Sequence, residues 1–165
     1  MLPFKKIIKR KELATLLYTK TLDVGQIKKR IEVISELGVI DITLILNEII
    51  LLRLNTVCYL LNAKKIFTMS RKRVIQLQLE YLEHFETNED RFVSKIPFVD
   101  LVENRLKIYR PLLEKDCIEQ AQNIAVIFSI NCKIESSKSF IYLARKIYLD
   151  DLLNFNKILQ SYILI

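Results

Sequence analysis

The scarcity of glycine and proline constrains the fold of this chain more than any other sequence feature. Its 165 residues include only two glycines, Gly25 and Gly38, and three prolines. Hairpin turns and phosphate-binding loops need glycine for backbone conformations with positive φ, so sandwiches, barrels and glycine-rich nucleotide loops are excluded. The sequence therefore predicts an all-α fold. A length of 165 residues is typical of one domain, and we expect a single helical domain over residues 1–165.

Residues 42–61 form the most apolar stretch of the chain, with the sequence ITLILNEIILLRLNTVCYLL. Its twelve Ile, Leu and Val residues favour insertion into lipid, but Glu48 and Arg53 oppose it by about 2.5 to 3.5 kcal/mol each. On these energetic grounds we do not expect a membrane span. We expect a multi-helix bundle packed around this stretch as its central apolar helix, with Glu48 and Arg53 either paired with each other or pointing to one wet edge.

Several helix boundaries can be read from capping residues. Asp23 can cap a helix that runs to Leu37 and is closed by Gly38, and Asp41 can cap the apolar helix. Ser70 precedes an apolar rhythm at helical spacing that ends near Thr87-Asn88.

Three further patterns predict how the second half of the chain is divided into helices and a candidate strand. Pro97 can open a helix through Arg110, and Pro111 should start a second helix at an angle to it. Alternating residues in 124–135 make that segment the one candidate strand, and residues 139–164 read as a helix pair bent near Asp150-Asp151.

Charge is distributed unevenly along the chain. Residues 1–75 hold fifteen Lys and Arg against six Asp and Glu, whereas the acidic segment 76–120 holds six against ten. The net charge of +7 therefore arises mainly from the basic half, 1–75. Such asymmetry favours a nucleic acid, an anionic membrane surface or an acidic protein as partner, although lysines that merely solvate helices would give the same count.

Residues 11–40, KELATLLYTKTLDVGQIKKRIEVISELGVI, contain two short amphipathic segments. Leu13, Ala14 and Leu17 give the first an apolar face, and the second carries the stripe Val24, Ile27, Ile31 and Ile34 with basic residues outside it. The segment resembles a helix-turn-helix of the winged-helix type, which implies that the second helix reads nucleic acid. It departs from that pattern in lacking a glycine in the turn, and residues 42–61 do not read as a wing.

These features predict a set of nucleic-acid-binding residues in three short groups. The set is Lys5, Lys6, Lys9, Arg10 and Lys11; Gln26, Lys28, Lys29 and Arg30; and Arg71, Lys72 and Arg73. We expect a non-enzymatic protein that contacts DNA or RNA backbone through this basic surface within a larger complex. The alternative is a helical adaptor or complex subunit that acts only through protein-protein contacts. We also expect a protein partner or a homo-oligomer.

Catalytic and metal-binding chemistry is sparse in the sequence. The single histidine, His84, stands one turn from Glu80, but the chain has no second pair of this kind, so we expect no metal and no cofactor. Cys58, Cys117 and Cys132 match neither a disulfide framework nor a zinc spacing and read as small buried hydrophobes. Because the cysteines match no disulfide framework, they indicate an intracellular, reducing compartment such as the cytoplasm or the nucleus.

Overall fold

The computed structural model describes residues 5–38, 41–63, 70–88, 98–113, 117–134 and 137–164. Of these residues 83% are helical, which confirms the prediction of an all-α multi-helix bundle. In chain order the helices are α1 (Arg10–Thr21), α2 (Val24–Ser35), α3 (Ile42–Asn62), α4 (Arg71–Glu86), α5 (Phe98–Leu113), α6 (Cys117–Asn131) and α7 (Lys138–Gln160). Two short strands, β1 (Lys6–Ile8) and β2 (Tyr162–Leu164), flank them.

Helix α3 is the centre of the bundle, as the apolar run of residues predicted. It packs against all six other helices. It is long and apolar enough to cross a membrane, but 78% of its most apolar 18 residues, with mean hydropathy 1.7, are buried inside the protein. This burial is that of a core helix, and its side chains join a single hydrophobic cluster to which every other helix contributes.

The predicted caps of the first helices are confirmed. The Asp23 carboxylate accepts a hydrogen bond from Gln26 N at 3.1 Å, and the Asp41 carboxylate accepts one from Leu44 N at 2.9 Å. Helix α2 ends at Ser35 with Glu36 as its C-cap, two residues before the predicted end at Leu37. Gly38 follows with a φ of 81°, the left-handed conformation that side chains disfavour. Ser70 does precede α4, but its side chain makes no capping hydrogen bond.

Two predicted breaks are wrong. Helix α5 continues through Pro111 to Leu113, because a proline in the last turn removes one amide donor without ending the helix there. Helix α7 runs unbroken through Asp150 and Asp151. Asp151 lies three residues after the buried Tyr148 and four before the buried Phe155, so it continues the inward face of α7. Pro97 lies outside the described residues.

The candidate strand at 124–135 is also wrong, since most of it belongs to helix α6. The buried residues recur at helical spacing: Ala121, Ile124, Ala125, Phe128 and Cys132. The alternation seen near the end of this segment therefore reflects the last turn of a helix and the residues just after it.

A small parallel ribbon joins the two ends of the described chain. Lys6, Ile7 and Ile8 are in register with Tyr162, Ile163 and Leu164 respectively. The backbone N–H of Lys6 also donates to the Ser161 carbonyl at 2.9 Å, directly after α7. The ribbon fixes the start of the basic half against the C-terminal end of α7.

Candidate functional site

The segment that resembles a helix-turn-helix does form two consecutive helices. Leu22 and Asp23 alone separate α1 from α2. Leu13, Ala14 and Leu17 are fully buried, as expected for the inner face of the first helix. Helix α1 packs mainly against α4, whereas α2 packs against α3 and α7.

The inward stripe of α2 differs in part from its prediction. Ile27 and Ile34 are buried and Ile31 is half-buried, but Val24 is 74% exposed. Val24 is the first residue of the helix, where the chain enters from the surface. The residue that shares the buried face instead is Arg30, which stands three positions after Ile27 and four before Ile34.

Arg30 belongs to a buried ion cluster that links α2, α3 and α7. Its two terminal nitrogens donate to both oxygens of Asp151, at 2.6 and 2.8 Å. Arg53 Nε donates to the same carboxylate at 3.2 Å. Arg53 and Asp151 are buried, and the Arg30 side chain is only 13% exposed. Two guanidinium groups therefore share one carboxylate in the interior.

The remaining donors of Arg53 are also used. Its Nη1 donates to the Thr21 carbonyl at 3.1 Å and its Nη2 donates to Gln26 Oε1 at 2.9 Å. Burial lowers the pKa of Arg53, and the Asp151 carboxylate acts against that shift. We call Arg30, Arg53, Asp151 and Gln26 the Asp151 cluster.

Three of the twelve predicted nucleic-acid-binding residues thus make contacts within the protein. Arg30 and Gln26 belong to the Asp151 cluster, and Arg10 forms an ion pair with Glu80 at 2.8 Å and a hydrogen bond to Gln76 at 2.7 Å. The prediction that Arg30 stands on the outward face of α2 is wrong, because its charge is needed beside Asp151.

Gln26 is exposed despite its contact with Arg53, and so are the other nine predicted residues, all of them basic. They are Lys5, Lys6, Lys9, Lys11, Lys28, Lys29, Arg71, Lys72 and Arg73. Within the described parts of the chain, none of these side chains forms an ion pair. Their charges are therefore available to solvent and to an anionic partner.

The first and second basic groups both have a residue near the C-terminal end of α7. Lys29 and Lys157 line a common groove between α2 and α7, which has a volume of about 380 Å³. One turn after Lys157, the Ser161 carbonyl accepts the hydrogen bond from the backbone of Lys6. Lys157, to which no sequence pattern pointed, therefore lies near a residue of each group.

The first and third groups are connected through α1 and α4. Lys9 and Lys11 flank Arg10, whose side chain contacts Gln76 on α4. Arg71, Lys72 and Arg73 form the first turn of that same helix, about one helical turn before Gln76. The three groups thus occupy elements that contact one another in succession.

A second buried polar cluster surrounds Glu48. Arg105 Nε donates a hydrogen bond that is shared by the two Glu48 carboxylate oxygens, at 3.0 and 2.9 Å. Glu48 Oε1 also accepts hydrogen bonds from the Tyr109 hydroxyl at 2.6 Å and from Asn131 Nδ2 at 2.8 Å. Burial, followed by the Glu48 charge, raises the pKa of Tyr109. We expected Glu48 and Arg53 either to pair with each other or to point to one solvent-exposed edge. Both expectations are wrong, because each residue pairs with a different helix inside the core.

The single histidine and two of the three cysteines have surroundings typical of residues that stabilise a fold. The His84 ring stacks on Tyr18 with centroids 5.1 Å apart, and its Nε2 lies 3.1 Å from the Thr15 hydroxyl. Cys58 and Cys132 are buried free thiols, and burial raises the pKa of Cys58 to about 12. The side chain of Cys117 lies outside the described residues. No group of three His, Cys, Asp or Glu side chains in the described segments could hold a metal.

A larger groove lies between α3, α4 and α5. Its volume is about 890 Å³, and its lining combines apolar side chains such as Val74, Ile75 and Leu106 with the basic side chains of Arg71 and Lys107. No sequence pattern pointed to this groove, because its walls come from three separate helices.

Comparison of the chain with protein-family models, with curated proteins and with solved structures found no match.

Proposed function

We propose that the protein binds the phosphate backbone of nucleic acid through its exposed basic residues. One observation carries this proposal: nine exposed cationic side chains, unpaired within the described residues, lie on elements that contact one another in succession. Binding of this kind neutralises phosphates and releases condensed counterions, and it needs no glycine-rich loop. The contacts would position the protein on DNA or RNA without reading a base sequence.

The protein would act by binding rather than by catalysis. The two carboxylates that are buried in the described residues, Glu48 and Asp151, already accept hydrogen bonds on both oxygens. A carboxylate held in this way stabilises the fold and is poorly placed to move a proton to or from a substrate. We also propose an intracellular, reducing compartment, which suits the buried free thiols of Cys58 and Cys132.

The test is the salt dependence of binding to random DNA and RNA, measured by fluorescence anisotropy for wild type and a Lys28→Glu/Lys29→Glu variant. We expect wild type to bind at low salt with a steep negative slope of log affinity against log salt. The variant should flatten that slope by about 0.9 for each duplex DNA phosphate that it no longer neutralises. Arg30 is left unchanged, because reversing its charge beside Asp151 would destabilise the fold.

The matched control is Lys133→Glu/Lys138→Glu, which makes the same charge change at exposed positions just after α6 and at the start of α7. Lys138 begins α7 and lies about 30 Å from Lys157 along the helix. This control should keep most of the affinity and the slope of wild type. Absence of binding by wild type at low salt, or equally weakened binding by the two variants, would contradict the proposed function.

A second candidate function is that of an adaptor or complex subunit, and the groove between α3, α4 and α5 favours it. The groove exposes Ile75, and Leu79 one turn further along α4 is 60% exposed. Arg71 and Lys107 add positive charge to the lining, so an amphipathic partner helix with acidic flanks is the matching occupant. A synthetic Leu/Glu amphipathic helix should then bind wild type in moderate salt and bind an Ile75→Glu variant at least about tenfold more weakly.

A further inference from the structure

We infer that the groove between α2 and α7 is a binding site for a phosphoryl group. The inference rests on the proposed function, since the phosphates of a nucleic acid backbone are the ligands that the groove would take. The Asp151 cluster forms one wall of the groove through Arg30 and Gln26.

The cluster carries more positive than negative charge. Arg30 and Arg53 share the single carboxylate of Asp151, and Arg53 is fully buried. Asp23 is also close enough to interact with Arg53, but its own carboxylate lies 4.0 Å from Lys20 Nζ. An uncompensated cation in a protein interior is costly, and an anion bound nearby reduces that cost.

The hydrogen bond from Arg53 also fixes the orientation of Gln26. Because Gln26 Oε1 accepts from Arg53 Nη2, the amide Nε2 of Gln26 remains as a donor. Asp151 uses two of the five N–H groups of Arg30. The wall of the groove therefore presents hydrogen-bond donors, and it is held rigid by a buried network.

The other lining residues add charge of the same sign. Lys29 from α2 and Lys157 from the last turn of α7 line the groove together with the Asn154 amide. Among the described residues that line the groove, Asp150 is the one acidic side chain, against three cationic ones: Lys29, Arg30 and Lys157. A phosphoryl group, with several acceptor oxygens and negative charge, matches donors and cations arranged in this way.

The sharpest variant is Gln26→Glu. A glutamate at this position still accepts the hydrogen bond of Arg53, but it replaces the amide donor with a negative charge. Thermal unfolding is measured over a series of inorganic phosphate concentrations, with ionic strength held constant by chloride. We expect a saturable rise in wild-type Tm with phosphate. In the Gln26→Glu and Lys29→Gln/Lys157→Gln variants the apparent phosphate affinity should fall by about tenfold or more.

The Lys133→Gln/Lys138→Gln variant is the control and should keep the wild-type response, because both lysines are exposed at the opposite end of α7 from Lys157. A phosphate effect that is absent at constant ionic strength, or equal in wild type and Gln26→Glu, overturns the inference. A short oligonucleotide that displaces phosphate from wild type supports a backbone phosphate as the ligand.

The inference and the proposed function can fail separately. If wild type binds nucleic acid with a steep salt slope while phosphate has no saturable effect, the groove inference is overturned and the proposed function stands. If phosphate binds and requires Gln26 while nucleic acid does not bind at low salt, the groove is a site for a small phosphorylated molecule and the proposed function is wrong.

Discussion

Asp150 and Asp151 are neighbours in sequence but have opposite surroundings. Asp151 is buried and accepts hydrogen bonds from two arginines, whereas Asp150 is exposed at the edge of the α2–α7 groove. The difference follows from the helix period, since consecutive residues point about 100° apart around α7. Only Asp151 shares a face with Tyr148 and Phe155.

Replacing Asp151 with Asn should therefore destabilise the protein by about 3 kcal/mol or more, because two guanidinium groups are deprived of their buried counter-charge. The matched change Asp150→Asn should alter the free energy of unfolding by less than about 0.5 kcal/mol. Urea denaturation followed by circular dichroism measures both variants. Equal effects at the two positions would show that the Asp151 cluster does not stabilise the fold.

At the scale of single residues, the sequence predicted which charged side chains are exposed better than it predicted which charged side chains pair with each other. The lysines at 28 and 29 are exposed as expected, and Glu48 and Arg53 stood out as charges in an apolar helix. Their partners were not predictable, because Asp151 is 98 positions from Arg53 and Arg105 is 57 from Glu48. Arg30 did carry a signal, since its spacing from Ile27 and Ile34 puts it on the buried face.

At the element scale, the capping residues were the most reliable guide. Asp23, Asp41 and Gly38 mark helix ends through local hydrogen bonds and backbone conformation, which depend on only a few neighbouring residues. Helix α5 instead tolerates Pro111 because the proline lies in its last turn, and α7 continues because Asp151 lies on its packed inward face. For that reason local sequence patterns at Pro111 and at the Asp150-Asp151 pair predicted breaks that the helices do not have.

The caps allow a comparison between two helices. Replacing Asp41 with Ala removes the side-chain acceptor for Leu44 N at the start of α3 and should cost about 1 kcal/mol of stability. Ser70→Ala at the corresponding position of α4 should cost little, because the Ser70 side chain makes no capping hydrogen bond. Thermal melts of the two variants measure this difference. A larger destabilisation by Ser70→Ala than by Asp41→Ala would contradict the assigned caps.

At the scale of the whole molecule, the ribbon between β1 and β2 brings the N-terminal basic residues to the end of α7. Strands of three residues are too short to leave a periodic signal, so this juxtaposition could not be predicted. The overall helical bundle could be predicted, because the scarcity of glycine and proline and the apolar run of the central helix are visible directly in the sequence. The candidate site is therefore a combination of predicted lysines and an arrangement that only the fold supplies.

The most direct test of nucleic-acid binding is lysine footprinting by an amine-acetylating reagent, read by mass spectrometry with and without random-sequence DNA or RNA at low salt. We expect protection of the exposed lysines on the proposed surface: Lys5, Lys6, Lys9, Lys11, Lys28, Lys29 and Lys72. Lys133 and Lys138, also exposed, should keep their reactivity. Protection that disappears as salt is raised would support backbone binding. Unchanged reactivity at every lysine, or protection of Lys133 and Lys138 equal to that of Lys28 and Lys29, would contradict it.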